Sequence, residues 1–285
     1  MTNFEKLNTF FNKDIFIIEI ISSLFLSYFI FVGKYLITKK KKNNLFFALW
    51  CAVSTFIALI ITWSIQTFIM KVQSHVYLNF INVLIQSIFQ GVKKNFSGFF
   101  LLKGLPYILS AQIIGTFLGI IFVYFTVYGF EKYTYKNNLS LIQYSTRKIN
   151  DLNIVYWKDL FKYKEIKNSK FFIKELIFLI IFIISVFFIN YINDVKFEIN
   201  VVWKTIFMFV ILTFILIFAS EFDFFMFSVW LSLAFLINGA FTRKVTKNEI
   251  INFFISFILT IIITIIVSLS LLLFANKAKI NFSLA

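Results

Sequence analysis

The chain has one cysteine, one histidine and one proline in 285 residues. With Cys51 alone there can be no internal disulfide and no cysteine-cluster metal site. His75 is the only imidazole, so triads and zinc hydrolase chemistry have almost no residues to draw on. No enzyme activity, metal or cofactor is expected, and no glycine loop of the nucleotide-binding kind is present. Charge is scarce as well: 14% of residues are charged, against about a quarter in a soluble domain. The N-terminus lacks the basic region, short apolar stretch and cleavage site of a secretory signal, so the first apolar run is expected to stay as a membrane helix.

What is abundant is apolar surface. Hydrophobic residues make up 60% and aromatic residues 21%, the composition of an integral membrane protein. Six runs are long enough to span hydrocarbon as helices, at roughly residues 15–33, 46–70, 105–128, 171–192, 200–219 and 251–274. Two shorter runs, about 79–90 and 227–238, lie between the second and third and between the fifth and sixth spans. As helices of twelve residues each would be about 18 Å long, roughly half a bilayer.

The formal net charge is +15, but the basic residues gather between the apolar runs. Lys39 to Lys42 form one cluster, and ten further Lys or Arg lie between Lys132 and Lys174. This pattern points to a solvated loop or an anionic lipid surface rather than to nucleic acid. The loop of about residues 131–170 also mixes Tyr and Trp with its lysines and suits a membrane surface or a partner.

The two halves read as a repeat, about 14–130 and 171–275, within one domain covering 1–285. "FIIEIISSLFLSYFI" opens the first span and "FFIKELIFLIIFIIS" the fourth, each with one carboxylate, Glu19 or Glu175. Asn79 precedes Gly91 by twelve residues, and Phe227 precedes Gly239 by twelve. Three spans plus a half helix, used twice, invert the second copy. A carboxylate in hydrocarbon costs several kcal/mol unless it is bonded. Glu19 and Glu175 are therefore expected either to face inward and brace the loops leading into the half helices, or to sit at the water interface beside a lysine such as Lys174. Two half helices meeting at the midplane would aim their free N–H groups at a pore, with Asn79 as a donor at its mouth. Gln86 and Gln90 are expected to join helices.

The stretches "FIIEIISSLFLSYFIFVG", "SHVYLNFINVLIQSIFQG" and "LPYILSAQIIGTFLGIIFVYF" together resemble the major intrinsic protein family, the aquaporins and glycerol facilitators. The third carries the pattern Pro106, Tyr107, Ala111, Gln112, Gly115 and Gly119. The resemblance implies an all-α membrane fold with six spans, two re-entrant half helices and an inverted repeat, and a homotetramer in the cell membrane. The family's first Asn-Pro-Ala signature falls on Asn79, Phe80 and Ile81, so that only the asparagine remains. Its second falls on Phe227, Ser228 and Val229, and the arginine that follows it falls on Trp230. A competing alignment on Asn238, Gly239 and Ala240 leaves too few residues before the sixth span. The family's outer constriction corresponds to Leu59, Ile215, Phe224 and Trp230, an apolar set that would gate by dewetting.

The resemblance places both termini in the cytoplasm, although loop charges lean the other way. It implies a passive channel for a small uncharged solute such as glycerol, with water a lesser permeant. Two other readings belong to different classes: a non-conducting scaffold of the same fold, and a substrate-binding membrane subunit of a vitamin uptake transporter.

Overall fold

A computed structural model of the chain describes residues 11–72, 76–93, 104–142, 157–161, 166–191, 201–219, 228–242 and 245–277. The described residues are helical, without strands. The helices are α1 (Lys13–Lys39), α2 (Asn44–Ser64), α3 (Phe80–Lys93), α4 (Leu105–Ile142), α5 (Asn168–Tyr191), α6 (Val201–Ala219), α7 (Val229–Thr242) and α8 (Lys247–Lys277). A π-helical turn, Ile65–Met70, continues α2, and a 3₁₀ turn, Trp157–Phe161, precedes α5.

Several helix starts are written in short polar signals. The Asn12 side chain accepts from the N–H groups of Asp14 and Ile15, and Asn43 accepts from Phe46 N–H. Asp14 and Lys39 sit at the ends of α1 where the helix dipole favours their charges. At α8, Thr246 N–H donates to the Glu249 carboxylate at 2.7 Å and Glu249 N–H returns a bond to Thr246 Oγ1 at 3.4 Å. This reciprocal pair satisfies two of the donors a helix start leaves open.

Five helical stretches are long and apolar enough to cross a membrane: Lys13–Lys39, Leu45–Met70, Leu105–Tyr133, Asn168–Phe188 and Lys247–Ala275. They mark a membrane protein, and their outward faces carry large apolar side chains such as Phe122, Phe125, Phe254 and Ile258. The expected span at 200–219 falls on α6, whose stretch Trp203–Phe218 belongs with the shorter apolar helices. α6 has 19 residues, about 28 Å. α3 and α7 have 14 residues each, about 21 Å, and neither crosses a bilayer unaided.

The chain between the third and fourth expected spans is not all loop. α4 runs to Ile142 and so takes in the start of the expected basic segment. Further on, the 3₁₀ turn docks into the bundle, with Leu160 and Phe161 wholly buried. Phe161 packs on Phe31 of α1 at 5.7 Å and on Phe235 of α7 at 5.6 Å between ring centroids. A surface role for the whole of 131–170 therefore fails at these residues, because their apolar side chains find more burial inside the bundle. Residues 143–156 lie outside the described set.

Packing follows a short list of neighbours. α1 packs on α2 and α4, α5 on α6 and α8, and α2 on α6. α3 rests on α4 and α8, and α7 on α8 and α4. The α1–α4 pair approaches closely because Gly115 and Gly119 present no side chain. A methyl group at Gly115 would overlap the Ile20 carbonyl oxygen and Ser23, and one at Gly119 would overlap Ser27 Oγ and the Leu24 carbonyl oxygen. On the other side of α1, Trp50 of α2 lies against Gly33, and its Nε1–H donates to Phe29 O at 2.7 Å.

Candidate functional site

A polar point inside the bundle is built around Glu19, which is wholly buried on α1. A buried carboxylate needs donors on both oxygens. Tyr77 N–H donates to Oε1 at 2.6 Å, and Gln112 Nε2 of α4 donates to Oε2 at 2.9 Å. Gln112 is also wholly buried, and its Oε1 accepts Trp230 Nε1–H from α7 at 2.9 Å. Three helices and the approach to a fourth thus converge through four groups.

The approach to α3 is unusual backbone. Leu78 has φ 57°, a left-handed conformation that costs a non-glycine residue about 1 kcal/mol or more. Its neighbours hold it there: Tyr77 N–H is taken by Glu19, while Tyr77 O accepts from Asn82 Nδ2 at 3.0 Å and from Asn79 N–H at 2.6 Å. Burial of the Leu78 side chain adds to the hold. Asn79 follows as the cap of α3, with Oδ1 accepting from Ile81 N–H at 3.2 Å. Its carbonyl accepts the first helical bond, from Val83 N–H. Ser228 has the same position before α7, where its carbonyl accepts from Ser232 N–H. The caps therefore pair Asn79 with Ser228, one residue on from the register that pairs it with Phe227.

The first turns of α3 and α7 meet. Phe80 stands edge-on to Trp230, with ring centroids 5.4 Å apart and planes at 78°. Phe257 of α8 lies nearly parallel to Phe80 at 6.1 Å. Phe80, Ile81 and Val229 are buried, and Trp230 and Asn79 are partly so.

The other expected site residues are more dispersed. Leu59 of α2 is partly buried and Ile215 of α6 is buried, on two helices that pack together and share the ring contact of Phe56 with Phe209. The partners of Trp230 lie instead on α3 and α4. Phe224 and Phe227 lie outside the described residues. Asn238, from the competing alignment, is inside α7, where its Nδ2 donates to Ala234 O at 2.8 Å.

Glu175 on α5 is wholly buried too. Its Oε1 accepts from Ser256 Oγ of α8 at 2.7 Å, and Oε2 has no partner among the described residues. Ser256 belongs to a buried row on α8, with Asn252, Thr260, Thr264 and Ser268, one residue in every four. The hydroxyls of Thr260, Thr264 and Ser268 have no partner among the described residues. Gln112, Ser256, Leu78 and Phe257 were not singled out as site residues by sequence reasoning. Gln112 stands in the sequence analysis as part of the pattern Ala111, Gln112, Gly115 and Gly119, without a site role.

Among the described residues no cluster of His, Cys, Asp and Glu has the makings of a metal site. No family model and no curated protein matches the chain in sequence.

Proposed function

We propose that the chain is a passive transmembrane channel of aquaporin-like architecture, for a small uncharged solute such as glycerol. The observation that carries the reading is the contact of Phe80 with Trp230, which joins two helices too short to cross a bilayer at their first turns. In this reading α3 and α7 are re-entrant half helices, and α6 completes six spans. Support comes also from the neighbours: exchanging α1, α2, α3 and α4 with α5, α6, α7 and α8 returns the same set of closely packed helix pairs among the described residues. An inverted repeat has that property. Glu19 braces the loop before α3, and the amide nitrogen of Asn79, not used in its cap bond, is the donor left for a passing solute. The protein sits as a multi-pass protein in the cell membrane, and a homotetramer follows from the resemblance alone.

Stopped-flow light scattering of proteoliposomes tests this. Glycerol flux should exceed that of protein-free vesicles, run downhill, ignore ion gradients and increase in Trp230→Ala. Accumulation against a gradient would sink the proposal. The aromatic pair also favours a second reading, a non-conducting scaffold of the same fold, because Phe80 and Trp230 fill the point where two donors would face a pore. Absence of flux in folded wild type and in Trp230→Ala would select it.

A further inference from the structure

Both ends of the Gln112 amide are committed. Nε2 donates to Glu19 Oε2 and Oε1 accepts from Trp230 Nε1, each at 2.9 Å. Neither bond can be reversed, since a carboxylate accepts and an indole N–H only donates. The amide has one orientation, and the indole, with no other polar atom, is fixed by it. Glu19 holds Tyr77 N–H with its second oxygen at 2.6 Å. One line of hydrogen bonds therefore runs from the backbone before α3, through α1 and α4, to the first turn of α7. It ends on the ring that stands edge-on to Phe80. Both sides of the aromatic contact are thus referred to a single carboxylate.

We propose that Gln112 is a positioning residue that clamps Trp230 against Phe80, so that the ring turns away only when its N–H leaves Gln112 Oε1. Given the channel reading above, on which this part rests, that release is the step that admits solute. A purely structural tie between helices differs in one respect: its loss would lower stability but leave the ring in place, pinned by packing.

Protein labelled with 5-fluorotryptophan carries one fluorine on each of its 5 tryptophans, and Trp230→Phe assigns the resonance of Trp230. In Gln112→Met that resonance should shift and narrow. Glycerol flux should rise roughly three- to tenfold, the population change that loss of one buried hydrogen bond allows. Trp230→Phe keeps a ring and removes the donor; it should raise flux by a similar factor, with no further gain on adding Gln112→Met. An unmoved Trp230 resonance in folded Gln112→Met overturns the clamp. If that variant does not fold, the wild-type indole N–H decides: slow exchange with solvent is expected, and free exchange overturns the clamp. A resonance that moves while no variant passes solute upholds the clamp and removes the channel reading.

Discussion

Glu19 on α1 and Glu175 on α5 are both wholly buried, yet they are held differently. Glu19 has donors on both oxygens, one from backbone and one from an amide. Glu175 has a serine hydroxyl on one oxygen. The helix pairs around them differ in the same sense. α1 and α4 close on each other across Gly115 and Gly119, whose places face α1 carbonyl oxygens as well as serine side chains. α5 and α8 contain no glycine at all, and α8 brings a row of buried hydroxyls instead. Two buried carboxylates on apolar helices therefore need not share a mechanism of support: one helix pair is locked by close backbone approach and by a carboxylate with a neutral donor on each oxygen, the other by side chains with spare hydrogen-bonding capacity among the described residues.

The contrast can be broken most forcefully at the glycines. Gly119→Leu should cost about 3 kcal/mol or more, because the Leu24 carbonyl it meets is backbone and cannot turn aside. Thermal unfolding in detergent would register this as loss of a folded peak, and wild-type stability would refute the lock. Next come the carboxylates. Glu19→Ala strands two donors and should cost about 3 kcal/mol, whereas Glu175→Ala strands one hydroxyl and should cost about 1 kcal/mol. Equal losses in the same unfolding assay would mean that the two sites are supported alike. Thr264→Val removes a buried hydroxyl that has no partner among the described residues, and should be neutral or stabilise by about 0.5 kcal/mol. A clear loss would reveal a partner for that hydroxyl. A similarly small effect, of opposite sign, is expected at the rim, where Lys39 Nζ lies 2.8 Å from Glu131 and both side chains are partly exposed. Lys39→Ala should cost about 0.5 kcal/mol, and less in high salt.

Much of the helical order was legible because it follows from run length and composition: long apolar stretches alternate with two short ones. The starts of α3 and α7 lay close to where the polar residues and the spacing to Gly91 and Gly239 put them. The extent of α4 was not legible, since beyond the membrane stretch "EKYTYKNNLSLI" is polar and has no apolar period to mark it. Nor was the docking of Leu160 and Phe161, because two apolar residues in a lysine-rich segment give no sign of which core receives them. At the site, the need of Glu19 for donors follows from its chemistry alone. That one donor would be Gln112, and that Gln112 would hold Trp230, depends on α4 and α7 lying side by side, a long-range fact that local pattern does not encode.

The glycine contacts of α1 and α4 also decide where the molecule can yield when the bilayer changes. Helices adapt to thinner or thicker hydrocarbon by tilting, and tilting requires neighbours to slide. α1 and α4 have backbone seated close against backbone at two successive levels, so a slide there must first unseat both. α5 and α8 meet through side chains that can change rotamer. A shift in membrane thickness should thus be absorbed between α5 and α8, leaving Glu19 and Gln112 as the fixed frame against which α8 and Phe257 move.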